Sequence, residues 1–302
     1  MERPVDIGKK ALEHKQTELI PRAELWLGSE IFKEYGLTDD IEGHLRVRKM
    51  FGMDIFFMPV SDRDTTAQFQ SYRYFSSKEL KKALEISKIP VGVIIDGPFQ
   101  RLTENKGLMN VFSEWIKKRN SIEKEFQQEA NLSMSLVIDV LEHNPSILVI
   151  ADDIAYEKGI YMSYEDMERL FKPFYSQAVK LIHAAGAYAL YHSCGNLTKI
   201  IPNIISYGFD GLAACQGSSM DMPAIKKEYG NRLTFLTGID GELFQMELID
   251  EKTEKHFLNY IQGLTYEGGV ILCSSCGLYS KAFLRAISDL YRITEKAKVK
   301  LK

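Results

Sequence analysis

Eight short apolar segments, each followed by a stretch with helical periodicity, limit the fold of this sequence more than any other feature. The segments lie at residues 24–28, 55–60, 91–96, 147–153, 188–194, 211–216, 234–240 and 270–276. Several are almost continuously apolar and bounded by Gly, Pro or Asp, which is typical of strands covered on both faces. This alternation predicts an α/β fold of the (β/α)8, or TIM, barrel type. A helical extension over residues 1 to about 20 is expected to pack outside the barrel.

The length of 302 residues fits a single barrel domain over residues 1–302, since such barrels need 200 residues or more. No tandem repeat, low-complexity tract or Pro/Gly/Ser-rich linker marks a domain boundary. No GxGxxG sequence follows a predicted strand, which disfavours a dinucleotide-binding fold.

Charge and composition exclude several classes of partner. The net charge is -3 and the basic residues are dispersed among acids, so no nucleic acid partner is predicted. No window approaches the roughly 18 apolar residues of a membrane span, and the first residues do not resemble a secretory signal. Four cysteines are too few for a disulfide scaffold in a chain of this length, which predicts a cytoplasmic protein.

Polar side chains collect where the predicted strands end. In a barrel the active site lies at the C-terminal ends of the strands. The residues at these ends are Asp96, Asp152, Asp153, His192, Cys194, Cys215, Gln216, Asp240 and Cys276. They are therefore the first candidates for a functional site.

The stretch "YHSCGN" (191–196) suggests a metal site. His192 and Cys194 are two residues apart on a strand and point to the same face. Zinc favours imidazole and thiolate ligands, and a catalytic site has three protein ligands. We assign the third ligand to Cys276, because Cys273 faces the opposite side of a regular strand. The alternative is a buried histidine with an inert cysteine, and Cys215 and Cys273 are interpreted as small core residues.

The carboxylates of the sequence "ADD" (151–153) have two interpretations. Asp152 and Asp153 either cap the next helix or reach the pocket as a proton acceptor or weak metal ligand. We expect one of them to act in catalysis. Candidate substrate-binding residues are Asp96, Phe99, Tyr156, Gln216 and Asp240, although Phe99 and Tyr156 also suit packing at the barrel rim.

Several segments, in order, resemble the uroporphyrinogen decarboxylase superfamily, and are most similar to its zinc-containing, corrinoid-dependent methyltransferase branch. They are "DGPF" (96–99), "ADDIAYEKGIYMSYEDMERLFKPFYSQAVKLIHAAGAYALYHSCGN" (151–196), "YGFDGL" (207–212), "YGNRLTFLTGID" (229–240) and "EGGVILCSSCGL" (267–278). The resemblance implies a barrel that holds Zn2+ through His192, Cys194 and Cys276. It further implies that a methyl group passes between methylcobamide, carried on a separate corrinoid protein, and a thiol or similar small acceptor. A homodimer is also implied.

Three other functions remain open. In the first, the same site transfers a methyl group in the opposite direction, from a small methylated substrate to the corrinoid. Uroporphyrinogen decarboxylation is disfavoured, because the arginine-rich segment of true decarboxylases is replaced here by "PRAELWLG" (21–28). A non-enzymatic barrel with a structural, four-ligand zinc site would use Cys215 or Cys273 as well.

Overall fold

The computed structural model describes residues 3–63, 72–245 and 249–295. The β-strands are β1 (Phe56–Pro59), β2 (Val91–Asp96), β3 (Ile147–Ala151), β4 (Ala155–Tyr156), β5 (Gly159–Ile160), β6 (Tyr188–His192), β7 (Gly211–Leu212), β8 (Thr234–Ile239) and β9 (Val270–Ser274). The α-helices are α1 (Ile7–Leu12), α2 (Ser29–Glu34), α3 (Ile41–Met50), α4 (Ser77–Ile86), α5 (Pro98–Lys106), α6 (Leu108–Lys117), α7 (Arg119–Leu141), α8 (Tyr164–Asp166), α9 (Lys172–Ala184), α10 (Ile201–Tyr207), α11 (Met222–Tyr229), α12 (Glu251–Leu264) and α13 (Lys281–Thr294). A π-helical turn, Met167–Phe171, joins α8 to α9, and 3₁₀ turns cover Thr198–Ile200 and Gly241–Gln245.

One curved parallel sheet forms the centre of the molecule. Within the described chain its order is β1-β2-β3-β6-β7-β8-β9, with parallel pairing at every step. Helices surround this sheet, which confirms the predicted α/β barrel-type fold class. Strands β4 and β5 form a separate antiparallel hairpin. No described helix is long and apolar enough to cross a membrane.

The prediction of a regular first strand over residues 24–28 is wrong. The segment 21–28 instead pairs with β9 through the isolated bridge Arg22–Leu272, and a hydrogen bond connects it to the chain just before β1. The Ala23 amide donates to the Leu272 carbonyl at 2.9 Å, and the Asp54 amide donates to the Arg22 carbonyl at 2.7 Å. The segment therefore occupies the position of the missing strand without forming a continuous ladder.

The predicted N-terminal helical extension is present, and it packs against the end of the barrel rather than against its outer face. The described part contains only the short helix α1, whose Ala11 and Leu12 belong to the apolar cluster inside the barrel. Members of this cluster from the strands include Ile94, Val149, Leu190, Leu236 and Ile271. The Thr234 hydroxyl donates to the Ala11 carbonyl at 3.3 Å. Helix α1 thus closes the end of the barrel at which the strands begin.

A buried carboxyl links segment 21–28 to the C-terminal helix. Glu24 is fully buried and accepts hydrogen bonds from the Ser274 amide at 3.2 Å and from the Tyr291 hydroxyl at 2.6 Å. Burial raises the pKa of Glu24 from 4.5 to about 7. The folded protein therefore holds this proton more tightly than the unfolded chain does.

This linkage predicts a pH-dependent stability. Protonated Glu24 contributes fully to the free energy of unfolding below pH 4.5, and this contribution is lost as the pH rises to about 7. Because one unit of pKa shift corresponds to about 1.4 kcal/mol, we expect this loss of stability to be on the order of 3 kcal/mol. Urea unfolding of the wild type and of Glu24→Gln across this range measures it. Equal slopes of stability against pH in the two proteins would contradict the assignment.

Candidate active site

A cavity of about 220 Å³ opens at the C-terminal ends of the strands. We call it the mouth cavity. Its lining residues are Trp26, Tyr72, Asp96, Gln100, Ala151, Asp153, His192, Cys194, Gln216, Ser275, Cys276, Gly277 and Tyr279. Both predicted metal-ligand segments, from β6 and from the end of β9, meet here. This is the position at which barrel enzymes carry their active sites.

His192 and Cys194 lie side by side in this cavity, as their spacing predicted. The Cys194 Sγ is 3.9 Å from the His192 Nε2. His192 Nδ1 lies 2.7 Å from the Ala213 carbonyl oxygen, an arrangement in which Nδ1 carries the proton and donates. In the neutral ring, Nε2 then keeps its lone pair for a ligand in the cavity.

Asp153 completes a compact group of three donors. Its Oδ1 lies 3.6 Å from the His192 Nε2 and accepts a hydrogen bond from the Cys194 amide at 2.8 Å. The ligand atoms of Asp153, His192 and Cys194 lie within 4.8 Å of one another. Of the two carboxylates in "ADD", Asp153 is therefore the one that reaches the cavity.

The glycine of "YHSCGN" allows the chain to turn directly after Cys194. Gly195 has a φ of +85°, and a Cβ there would lie 2.6 Å from the Tyr156 backbone. Its amide donates to the Gln216 Oε1 at 2.6 Å. The β4–β5 hairpin can thus lie close over Cys194, which only glycine permits at this position.

The remaining cysteines divide into one at the cavity and two in the core. Cys276 lines the mouth cavity, and the carboxylates of Glu24 and Asp240, after burial, help raise its pKa to about 11. Cys273 is fully buried in the barrel interior, and Cys215 is buried in the surrounding core. These positions suit the small core residues that the sequence predicted.

Asp152 points away from the cavity and anchors a helix. Its carboxylate is fully buried, accepts from the Gln100 amide at 2.6 Å and from the Tyr175 hydroxyl at 2.8 Å. It thereby satisfies an otherwise unpaired N–H in the first turn of α5. Burial raises its pKa to about 8. Asp152 is thus excluded from the mouth, where we expected either carboxylate to act.

Phe99 is also placed away from the cavity. It is fully buried and packs in an aromatic cluster with Phe112, Tyr161 and Phe171, at centroid distances of 6.2 to 6.5 Å. Of the two roles considered for it, the packing role fits this position. We therefore do not retain Phe99 among the substrate contacts.

Asp96 ends β2 and forms part of the cavity wall. It accepts hydrogen bonds from the Tyr74 hydroxyl at 3.1 Å and from the Arg63 guanidinium at 2.9 Å. Arg63 also contacts Glu104 at 2.7 Å. Burial and the Glu104 charge raise the pKa of Asp96 to about 7, against the opposing effect of Arg63.

The other predicted substrate-binding residues lie around the opening. Gln216 lines the mouth cavity, and Tyr156 lines an adjoining surface hollow together with Cys194 and Gln216. Tyr156 is half-exposed and stacks on Tyr161 with a centroid distance of 5.3 Å. Asp240 follows β8 and accepts from the Gly217 amide at 3.0 Å, outside the cavity lining.

Three aromatic residues of the cavity were missed by the sequence analysis. Trp26 packs edge-on against the His192 ring at 4.8 Å and lies 6.1 Å from the Tyr72 ring. Tyr279 lines the side that carries Cys276. Trp26 lies in the middle of the predicted apolar segment 24–28, and this position could have indicated that its side chain faces the barrel. Tyr72 and Tyr279 lie in irregular stretches with no periodic pattern.

The donor set suits a zinc ion. An imidazole nitrogen, a thiol and a carboxylate converge, with a second thiol in the same cavity, and these are zinc ligand types. Burial and the Asp153 charge raise the pKa of the Cys194 thiol. No lysine or arginine is among the described lining residues. A bound cation is therefore the group that would stabilise a thiolate here.

The sequence matches the family model described as uroporphyrinogen decarboxylase (URO-D) over residues 49–296. The chain belongs to the uroporphyrinogen decarboxylase family. The match includes Asp153, His192, Cys194 and Cys276, whereas Trp26 precedes it. A comparison with curated protein sequences finds no match.

Solved structures share the fold of this uroporphyrinogen decarboxylase family member. A methyltransferase from Methanosarcina mazei superposes with a TM-score of 0.70 at 14% identity, over 95% of this chain and 96% of that one. A protein from Listeria monocytogenes assigned as a vitamin-B12-independent methionine synthase gives a TM-score of 0.56 at 12% identity, over 93% and 99%. At these identities the likeness establishes the fold alone.

Proposed function

We propose that this protein is a zinc-dependent methyltransferase that moves a methyl group from a methylated corrinoid protein to a small thiol. The observation that carries the proposal is the convergence of His192, Cys194 and Asp153 within 4.8 Å in a cavity that Cys276 also lines. The structural likeness to a methyltransferase supports it. The location of the partner's cobamide on a separate protein follows from the family resemblance.

His192, Cys194 and Cys276 would hold the metal, with Asp153 beside them. Bound zinc supplies a Lewis acid that stabilises a substrate thiol as its thiolate at neutral pH. The Ala213 carbonyl fixes the His192 ring through Nδ1, and the Trp26 edge packs against that ring. These contacts hold Nε2 toward the cavity and limit water around it.

In this proposal Asp153 accepts the proton of the substrate thiol. Its Oδ1 lies 3.6 Å from His192 Nε2 and is held by the Cys194 amide. The substrate S–H bond breaks and its proton passes to this carboxylate. The sulfur lone pair then forms the S–CH₃ bond, while the electron pair of the Co–C bond stays on cobalt. Methyl-Co(III) thereby becomes Co(I), and the acceptor becomes a thioether.

The direct test is incubation of zinc-loaded protein with methylcob(III)alamin and a panel of small thiols. We expect the cob(I)alamin absorption spectrum to appear under anaerobic conditions, together with the methyl thioether. Zinc-free protein is the control and should give no spectrum. No cob(I)alamin with any thiol, at full zinc content, would rule out the proposal.

Uroporphyrinogen decarboxylation is expected to be absent. A substrate with eight carboxylates needs cationic partners, yet the described cavity lining has no lysine or arginine. Arg22, the one arginine of segment 21–28, is directed to the Tyr291 carbonyl at 2.9 Å and to Glu295 at 2.8 Å. Chromatography of products after incubation with uroporphyrinogen should show no coproporphyrinogen. Catalytic turnover would favour a decarboxylase instead.

A further inference from the structure

Trp26 and Tyr72 line the mouth cavity, and Tyr74 extends this aromatic group toward Asp96. The Trp26 and Tyr72 rings lie 6.1 Å apart, and the Tyr72 and Tyr74 rings lie 5.5 Å apart. The Tyr74 hydroxyl donates to the Asp96 carboxylate at 3.1 Å. Aromatic faces beside a carboxylate are the surroundings that bind organic cations in proteins.

The described lining of the cavity has acidic side chains, Asp96 and Asp153, but contains no lysine or arginine. Arg63 is the nearest cation to Asp96, but it is shared with Glu104 at 2.7 Å. The charge of this guanidinium is thus offset by two carboxylates and is not available to bind an anionic substrate.

The sheet register sets the distance between Asp96 and the proposed metal site. Asp96 pairs with Ala151, and Ala151 pairs with His192, on neighbouring parallel strands. Two strand spacings amount to roughly 10 Å between the Asp96 and His192 backbones. Ala151 has a small side chain, so the space between them stays open. A substrate of a few carbon atoms can span from the metal ligands to the Asp96 carboxylate.

We propose that the small substrate is an organic ammonium compound, with its cationic nitrogen bound by the wall formed from Asp96, Trp26 and Tyr72. This inference rests on the proposed methyl transfer and names the substrate class for the same cavity. An aminothiol satisfies both ends: the sulfur lies at the metal ligands and the ammonium lies at Asp96. An anionic thiol would meet carboxylates at this wall.

The test compares three thiols of equal chain length and different charge: 2-aminoethanethiol, 2-mercaptoethanol and 2-mercaptoethanesulfonate. Methyl transfer from methylcob(III)alamin by zinc-loaded protein gives kcat/KM for each. We expect the cationic thiol to exceed the anionic one at least about tenfold, the size of a cation–π contact combined with a partly buried ion pair. Because the thiols differ in intrinsic acidity, the diagnostic quantity is the change of this ratio in Asp96→Asn.

Asp96→Asn should lower the ratio at least about fivefold, since the carboxylate charge is lost while the side-chain shape is kept. Asp289→Asn, which makes the same change at an exposed position of α13, should leave the ratio unaltered. A ratio that favours the anionic thiol, or one that Asp96→Asn does not change, would overturn the inference.

A binding measurement separates this inference from the proposed function. Calorimetry with the thioethers 2-(methylthio)ethylamine and 2-(methylthio)ethanol requires no turnover. Tighter binding of the ammonium thioether supports the substrate class even if no thiol is methylated, and equal binding rejects it. Tetramethylammonium is tested as a methyl donor to cob(I)alamin, to establish whether the ammonium compound gives or receives the methyl group. Formation of methylcob(III)alamin would retain the ammonium class but reverse the direction of transfer.

Discussion

Cys194→Ala is expected to lose both bound zinc and methyl transfer. The wild type should contain about one zinc per chain. Removing the thiolate leaves a set of donors too small to hold the ion tightly, so we expect zinc affinity to fall by more than about 100-fold. Metal analysis after dialysis and the cob(I)alamin assay measure the two effects. His192→Ala should behave in the same way, because its Nε2 lies 3.9 Å from the Cys194 Sγ.

The third ligand is decided by comparing Cys276→Ala with Asp153→Asn. If Cys276 is a ligand, Cys276→Ala loses zinc, while Asp153→Asn keeps most of the zinc and slows methyl transfer. The reverse pattern would assign the third position to Asp153, which lies closer to His192 in the structure. Cys215→Ser is a matched control, since this thiol is buried in the core away from the cavity lining. Zinc loss in the control would contradict the assignment of the site.

Asp152→Ala is expected to destabilise the fold by about 3 to 5 kcal/mol. The change leaves the Gln100 amide and the Tyr175 hydroxyl without their buried acceptor, and each unpaired buried donor costs roughly 1–3 kcal/mol. Urea unfolding of the zinc-free proteins measures the difference without a contribution from the metal. Asp152→Asn keeps one acceptor oxygen and should lose less.

A loss below about 1 kcal/mol in Asp152→Ala would contradict this role. Gly97→Ala offers an independent check of the same contact. A Cβ at residue 97 would lie 2.4 Å from the Asp152 carboxyl carbon, so one of two buried segments must move. We expect a comparable loss of stability.

The sequence predicted the parallel strands well because both of their faces are buried. Residues 91–96 and 147–151 are buried at every position, and this produces the continuous apolar runs that were recognised. Residues 24–28 carry the same signal but pair only through isolated bridges. Their hydrogen-bonding partners lie near residue 272. Local sequence patterns carry no information about partners that are so distant in the sequence.

Within the site, the most informative rule was that side chains two residues apart on a strand point to the same face. It placed His192 and Cys194 on one face, and it would also have selected Asp153 over Asp152, because Ala151 faces the cavity. The rule fails for Cys276, since β9 ends at Ser274 and the chain then turns. The aromatic wall was not predictable, because Tyr72 lies in a segment with neither helical nor strand periodicity.

The closure of the barrel by segment 21–28 has a consequence for how the chain folds during synthesis. The Glu24 contact to Ser274 spans 250 residues of sequence, and the Arg22 contact to Tyr291 spans 269. Segment 21–28 is therefore synthesised long before β9 and α13, and its hydrogen bonds to them form only after those elements have been made. Long-range contacts of this kind slow folding and leave apolar edges exposed meanwhile. Nascent chains that stop short of β9 should consequently be bound by chaperones or degraded, whereas full-length chains escape both.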